Sequence, residues 1–323
     1  MLKRILLSHS PAYFFILPVL CYAVIFSIYP FLNINSAGDK SAFDLSFISG
    51  WATSREYGSI IWFIPVAITS LFLPMLTSRF TMFENGMFLI SILWLLMIPA
   101  CLSFSINFNT VIVVTLIIPV YYFIFGMYKS QYPVHLFFNA SFIISVATMF
   151  YTPSIIFLFL LWAGWLFYNP FIFKAYALSI IGFILPFFFV FSGYFLADKL
   201  NEITIDFSIF EIYGKKNEQH VIIFSAFISL FVLIGLVRLA APGTVKKIGL
   251  RKNFNFCLFA FAILMTAVFV FKEVTMLCFA IFPASIVANV AISKISKPWF
   301  FALIFLFYMG LMLYFPFGQE LFK

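Results

Sequence analysis

The side chains best suited to chemistry are a few charged residues in two short polar segments of an apolar chain. Residues 33–57 read NINSAGDKSAFDLSFISGWATSREY and include Asp39, Asp44 and Arg55. A carboxylate beside a guanidinium suits group transfer from a lipid phosphate, because the carboxylate can act as general base or metal ligand while the arginine holds the phosphate. Lys272, in a turn between two apolar runs, would be a second phosphate contact. The candidates are therefore Asp39 and Asp44 for catalysis, and Arg55 and Lys272 for binding a lipid phosphate.

Each of these segments also has a purely structural interpretation. Asp39 and Asp44 are the kind of acids that occur in any solvated loop. Lys272 and Glu273 suit a turn that anchors two helices at the membrane surface, since charges so close to hydrocarbon must pair or reach the headgroups. The sequence leaves both interpretations open.

The composition of the chain excludes a soluble protein. Of its 323 residues, 64% are hydrophobic and 9% are charged, whereas a soluble domain is roughly 45–50% apolar and about 25% charged. The net charge of +8 belongs in the loops of such a chain and does not indicate binding to nucleic acid. The chain is expected to be an all-α, polytopic bundle of transmembrane helices that forms a single integral membrane domain.

Eleven apolar runs have about the length that a bilayer core requires. The first follows Lys3 and Arg4 and is too long for the core of a signal peptide, so it is interpreted as a retained anchor. The predicted spans are 12–32, 58–77, 86–106, 109–127, 134–150, 153–168, 175–196, 220–240, 254–271, 275–292 and 298–316.

The charges between these spans predict the orientation. With the N-terminus inside, the inner segments contain 12 basic residues and one acidic residue, and the outer segments contain seven basic and ten acidic residues. This distribution follows the positive-inside rule and predicts an N-in, C-out topology. The longest polar segments, 33–57 and 197–219, then lie on the outer side, and a basic inner loop covers 242–253.

Several other patterns predict packing or interfacial helices rather than chemistry. Phe43, Phe47 and Trp51 recur at helical spacing, which predicts a helix on the membrane surface. Segment 197–219 has a similar amphipathic pattern, which fits either a second interfacial helix or packing on the protein's own outer face. Asn139 and Gly182 are expected to serve contacts between helices.

Neither a metal site nor a cofactor is expected. His9 and His135 are predicted on the inner side and His220 on the outer side, so they cannot converge on one metal. The four cysteines lie in apolar runs and are interpreted as small buried hydrophobic residues. The sequence contains neither a nucleotide-binding fingerprint nor a P-loop.

Residues 137–200 resemble an uncharacterised family of polytopic bacterial inner-membrane proteins, a domain of unknown function. The apparent match extends beyond these residues and covers most of the chain. It implies a protein of the bacterial cell envelope without a defined activity. The residues that carry it are Phe138-Asn139-Ala140, the Phe150-Tyr151-Thr152-Pro153 turn, the Asn169-Pro170-Phe171 break and the stretch from Gly182 to Pro186.

The same stretch is loosely similar to polyprenol-dependent glycosyltransferases of the C-type fold. The shared features are a first helix that starts inside, an outer loop with acidic residues and an interfacial helix, and short paired helices. This resemblance implies that Asp39 or Asp44 occupies the catalytic acid position. The first loop departs from the family pattern because it lacks two adjacent acidic residues.

These observations lead to three functional hypotheses for a multi-pass protein of the bacterial cytoplasmic membrane. The first is glycosyltransferase-like handling of a lipid-linked glycan at the outer face. The second is a non-catalytic subunit or scaffold of an envelope assembly. The third is a transporter of small molecules or lipids, although few charges lie in the middle of the predicted spans. The expected partners are membrane lipids together with a polyprenyl-phosphate-linked substrate or an envelope protein.

Overall fold

A computed structural model describes most of the membrane-embedded part of the chain. The residues it describes are 16, 18–23, 58–80, 82, 87–102, 108–130, 133–168, 173–198, 218–240, 248–271, 276–293, 299, 306 and 310.

The described residues form α-helices and two 3-10 turns, Met127–Lys129 and Thr152–Ile155, and they include no β-strand. Residues 16 and 18–23 are also helical. The nine longer helices are α1 (Gly58–Arg79), α2 (Met87–Leu102), α3 (Phe108–Gly126), α4 (Val134–Phe150), α5 (Ile156–Tyr168), α6 (Phe173–Leu196), α7 (Glu218–Ala240), α8 (Ile248–Phe271) and α9 (Met276–Ser293).

The helices confirm the all-α prediction and coincide with nine of the predicted spans. The predicted span 134–150 has the bounds of α4. Helices α2, α4, α5 and α9 are apolar but short, whereas five helices are long and apolar enough to cross a bilayer by themselves: Ile60–Arg79, Phe108–Gly126, Phe173–Leu196, Ile222–Ala240 and Ile248–Val270. The predicted spans 12–32 and 298–316 lie largely outside the described residues.

Several helix boundaries differ from the prediction by a few residues, and two of these differences have a local explanation. Helix α8 begins at Ile248 rather than at residue 254, so Arg251 and Lys252, which were predicted in a loop, lie in its first turns. Both residue types favour helix and can extend a helix beyond the hydrocarbon. Helix α5 begins at Ile156 because a 3-10 turn, Thr152–Ile155, precedes it.

The helices group into two compact units. The first unit contains α1, α2, α7, α8 and α9, and the second contains α3 to α6.

Helix α9 is central in the first unit, since it packs against α2, α7 and α8. All its residues from 276 to 290 are buried. Helix α7 approaches it closely at Gly235, where a Cβ atom would lie 2.5 Å from Val287 Cγ1 and 2.6 Å from the Val287 carbonyl oxygen. The contact between α7 and α9 therefore requires glycine at position 235.

Polar contacts in the first unit converge on Ser70 of α1. The Ser91 hydroxyl of α2 donates a hydrogen bond to the Ser70 carbonyl oxygen at 2.7 Å. The Cys21 thiol donates to Ser70 Oγ at 3.2 Å, and Ser70 Oγ donates to the Ala67 carbonyl oxygen at 2.9 Å. Ser70 thus connects α1 to α2 and to the helical segment 18–23.

The second unit is built around the contact between α4 and α6. A Cβ atom on Gly182 of α6 would collide with Ser141 Oγ and lie 2.8 Å from the Phe138 carbonyl oxygen of α4. Farther along the same two helices, Met149 packs against Phe187. From the first contact to the second, the residue numbers increase in both helices, so α4 and α6 run in the same direction. Gly182 allows the two helix backbones to approach each other.

We expect Gly182→Ala to destabilise the protein and Gly193→Ala to leave it unchanged or stabilise it. Both glycines lie in α6, but a Cβ atom on Gly193 would meet no other atom within 4 Å. At Gly182 the new methyl group would push α6 away from α4, a cost of about 1–3 kcal/mol. At Gly193 alanine gains up to about 1 kcal/mol in helix propensity. Melting temperatures of the purified variants in detergent measure the difference. Equal losses at both positions would contradict the close contact.

Candidate functional site

The four candidate residues from the sequence lie outside the part of the chain that the structure describes. Asp39, Asp44, Arg55 and Lys272 therefore remain predictions. The same holds for the interfacial helix expected around Phe43, and for residues 199–217 of the one expected in 197–219, whereas Glu218 already belongs to α7.

Ring contacts establish the directions of the helices in the second unit. Tyr121 and Tyr128, in or just after α3, contact Phe157 and Tyr168 of α5, with ring centroids 6.4 Å and 6.5 Å apart. From the first of these contacts to the second, the residue numbers increase in both segments, so α3 and α5 are parallel. Helix α4 runs antiparallel to both, because it is joined to each by a short connection and packs against them. The start of α3 and the end of α4 consequently lie at the same end of the unit.

This end of the second unit concentrates buried polar side chains, and we call it the polar end. Its members are uncharged and between 0% and 6% exposed. They are Asn109, Thr110, Thr148, Thr152 and Ser154.

The 3-10 turn organises part of the polar end. Helix α4 ends at Phe150, and Pro153 lies in the first positions of the 3-10 turn, where its missing N–H costs no helical hydrogen bond. The Ser154 N–H and hydroxyl donate to the Tyr151 carbonyl oxygen at 3.0 Å and 2.7 Å. The Ser154 hydroxyl also lies 3.4 Å from Thr148 Oγ1, and Thr148 donates to the Ile144 carbonyl oxygen at 2.7 Å. The tight turn predicted at Tyr151-Thr152-Pro153 is confirmed.

Three other buried polar side chains of this unit, and the indole of Trp165, have no hydrogen-bond partner among the described residues. The atoms are both amide atoms of Asn109, Thr110 Oγ1, Ser145 Oγ and Trp165 Nε1. Asn109 and Thr110 are the second and third residues of α3, whereas Ser145 lies within α4 between Ser141 and Thr148. A buried polar atom without a partner lowers the stability of the fold by about 1–3 kcal/mol. These positions therefore destabilise the fold.

The opposite end of the second unit is aromatic. Phe137 packs edge-on against Trp165, with centroids 4.7 Å apart, and Trp162 Nε1 donates to Ser179 Oγ at 2.8 Å. His135 and Lys174, near the starts of α4 and α6, are exposed. These two residues therefore lie apart from the polar end.

The structure modifies other expectations from the sequence. Asn139, expected between helices, is exposed on α4, whereas Gly182 does serve a helix contact. The sequence does not mark Asn109 and Thr110 as candidates, because polar residues are common at the start of a helix. Their burial depends on the tertiary packing. Their only signal in the sequence is the pair of polar residues directly before the run Val-Ile-Val-Val.

The polar end can act through neutral hydrogen-bond donors and acceptors. Within the described ranges, no three His, Cys, Asp or Glu side chains come together to hold a metal ion. Serine, threonine and asparagine side chains can bind and orient an oxygen-rich group, but they are poor acids and bases at neutral pH. Acid-base chemistry would have to come from charged residues elsewhere, such as those of the first outer loop.

The fold identifies the class of this protein. Five helices are long and apolar enough to cross a membrane, and none of the buried residues that the structure describes is charged, which supports a helical integral membrane protein. Comparison of the chain with protein-family models, curated protein sequences and solved structures found no match.

We expect Ser145→Ala to leave the stability unchanged or raise it, and Ser154→Ala to lower it. Both hydroxyls are fully buried, but only Ser154 makes hydrogen bonds, to Tyr151 and Thr148. Loss of such bonds costs about 0.5–1.5 kcal/mol, whereas removing an unpartnered hydroxyl removes a penalty. Thermal unfolding in detergent provides the measurement. A larger loss for Ser145→Ala than for Ser154→Ala would show that Ser145 has a partner in the folded protein.

Proposed function

We propose that the protein is a multi-pass protein of the bacterial cytoplasmic membrane with eleven spans, its N-terminus inside and its C-terminus outside. The support is the charge distribution, because 12 of the 19 basic residues fall on the proposed inner side and ten of the 11 acidic residues on the outer side. The assignment to the bacterial envelope rests on the resemblance of residues 137–200 to the inner-membrane family described above.

In this topology the two ends of α6 lie on opposite sides of the membrane. Lys174 is exposed near its start, and Asp198 is exposed just beyond its end. We expect Asp198→Cys, in a variant with the four native cysteines replaced, to react with a membrane-impermeant maleimide added outside spheroplasts. Lys174→Cys should react only after permeabilisation. The reverse pattern would overturn the orientation.

We further propose that the outer face handles a lipid-linked glycan in the manner of a glycosyltransferase. The observation that carries this proposal is the position of the polar end, because in the proposed topology it lies on the same side as the acidic segment 33–57. Buried neutral donors and acceptors would then lie on the side of the membrane that holds the candidate acids Asp39 and Asp44. The side chains Arg55 and Lys272 would lie on this side as well.

The chemical step would be an inverting glycosyl transfer. A hydroxyl of the acceptor attacks the anomeric carbon of the sugar, and Asp39 or Asp44 takes the proton of that hydroxyl. The new glycosidic C–O bond forms as the bond from the anomeric carbon to the phosphate oxygen breaks. Polyprenyl phosphate leaves with the bonding electrons, and Arg55 and Lys272 stabilise its charge.

We expect Asp39→Asn or Asp44→Asn, or the double variant, to abolish the transfer without impairing folding. An amide cannot take the proton, and loss of a general base lowers the rate by about 10²–10⁴-fold. The measurement is the envelope glycan profile of cells that carry each variant as their sole copy. Asp198→Asn is the matched control, because it makes the same change at another predicted outer position.

Unchanged glycans in the double variant would overturn the catalytic proposal. If a partner protein copurified with the wild-type protein in stoichiometric amount as well, the result would favour the second function, a non-catalytic subunit or scaffold. The exposed Asn139 of α4 is the observation that favours this alternative, since a carboxamide on the outside of a membrane helix can bind a helix of another protein.

A further inference from the structure

The start of α3 combines backbone and side-chain donors in one place. The first four N–H groups of any α-helix lack an acceptor within the helix, and the helix dipole makes that end favourable for negative charge. Helix α3 is 19 residues long. Its second and third residues, Asn109 and Thr110, are polar, and the Cα–Cβ bonds of a helix tilt toward its N-terminus. Both side chains therefore lean toward the N-terminal end of α3.

These two side chains differ from most buried hydroxyl-bearing residues of the second unit, although the Ser145 hydroxyl also bonds to no described residue. Thr148 and Ser179, for example, donate to carbonyl oxygens of their own helices. Asn109 is 2% exposed and Thr110 is 1% exposed, and Asn109 Nδ2, Asn109 Oδ1 and Thr110 Oγ1 bond to no described residue.

The unmet hydrogen bonds define the chemistry of a ligand. Asn109 Nδ2, the Thr110 hydroxyl and the first N–H groups of α3 are donors and call for an anionic oxygen group. Asn109 Oδ1 is an acceptor and requires a donor from the same ligand. A phosphate ester with a neighbouring hydroxyl or amine group satisfies both requirements, whereas a hydrocarbon chain satisfies neither.

We propose that the N-terminus of α3, with Asn109 and Thr110, binds the phosphate group of a membrane lipid. This inference deepens the proposed function and rests on it for the identity of the lipid, namely a polyprenyl-phosphate carrier. The binding chemistry is shared by carrier lipids, phospholipid headgroups and free phosphate.

The test measures binding to the full-length protein in detergent. The three probes are undecaprenyl phosphate, phosphatidylglycerol and inorganic phosphate, each titrated while thermal unfolding is followed. We expect a phosphate lipid to raise the melting temperature of the wild-type protein. In Asn109→Leu and Thr110→Val, the affinity for that lipid should fall about tenfold or more, because hydrogen bonds to a charged group are lost.

Matched controls separate loss of the site from loss of the fold. Thr266→Val makes the same change at an exposed threonine of α8 that bonds its own helix, and its affinity should remain that of the wild-type protein. Thr110→Val alone should melt no lower than wild type without ligand, because the hydroxyl it removes has no partner.

Each outcome has a distinct meaning. Stabilisation by undecaprenyl phosphate supports a carrier site, stabilisation by phosphatidylglycerol supports a headgroup site, and stabilisation by inorganic phosphate supports a site for the phosphate group alone. If none of the probes stabilises the wild-type protein, or if Asn109→Leu and Thr110→Val bind as tightly as wild type, the inference is overturned. Loss of binding in these variants together with unchanged glycans in the Asp39 and Asp44 variants would overturn the catalytic proposal and leave this site standing.

Discussion

Within hydrocarbon, each backbone donor and acceptor must find its partner inside the protein, because no water is present to supply one. The described chain meets this constraint with helices, and its buried hydroxyls mostly donate to carbonyl oxygens of their own helix, as Thr77 and Ser285 do. Association of the helices must then depend strongly on shape. Gly182 and Gly235 show this dependence, since at both positions side-chain and backbone atoms of the neighbouring helix occupy the space of a side chain.

The same constraint explains where polarity is tolerated. Along its length a helix pairs its own backbone N–H and C=O groups. Its first N–H groups, and the backbone groups of the turns between helices, have no partner within a helix. In the second unit, the buried polar residues at the start of α3 and in the 3-10 turn Thr152–Ile155 lie at one end, while Phe137 and Trp165 fill the other. Much of the buried polarity of this unit thus lies where the backbone is unsatisfied, although Ser145 lies within α4. A binding site near the start of α3 costs less than one in the middle of a helix.

This constraint also explains which features the sequence could predict. The apolar runs contain residues that lipid or protein must surround, and nine of the predicted spans coincide with helices. Pro153 indicates the turn after α4. The early start of α8 was missed because Arg251 and Lys252 suggest a loop by charge but favour helix by propensity. The burial of Asn109 and the exposure of Asn139 depend on how helices pack, which hydropathy does not encode. The candidate acids Asp39 and Asp44 stay predictions.

Neutral and charged residues have different uses at the edge of a membrane. Taking an ionised carboxylate or guanidinium out of water without a partner costs several kcal/mol of hydration free energy. Groups such as Asp39 and Arg55 therefore belong in a loop that water reaches. Backbone N–H groups, Asn109 and Thr110 carry no net charge, and their burial costs less. A lipid phosphate has its charge at the boundary between these environments. Neutral donors can hold it on the hydrocarbon side while charged residues act on it from water, which is the division of roles that the proposed site requires.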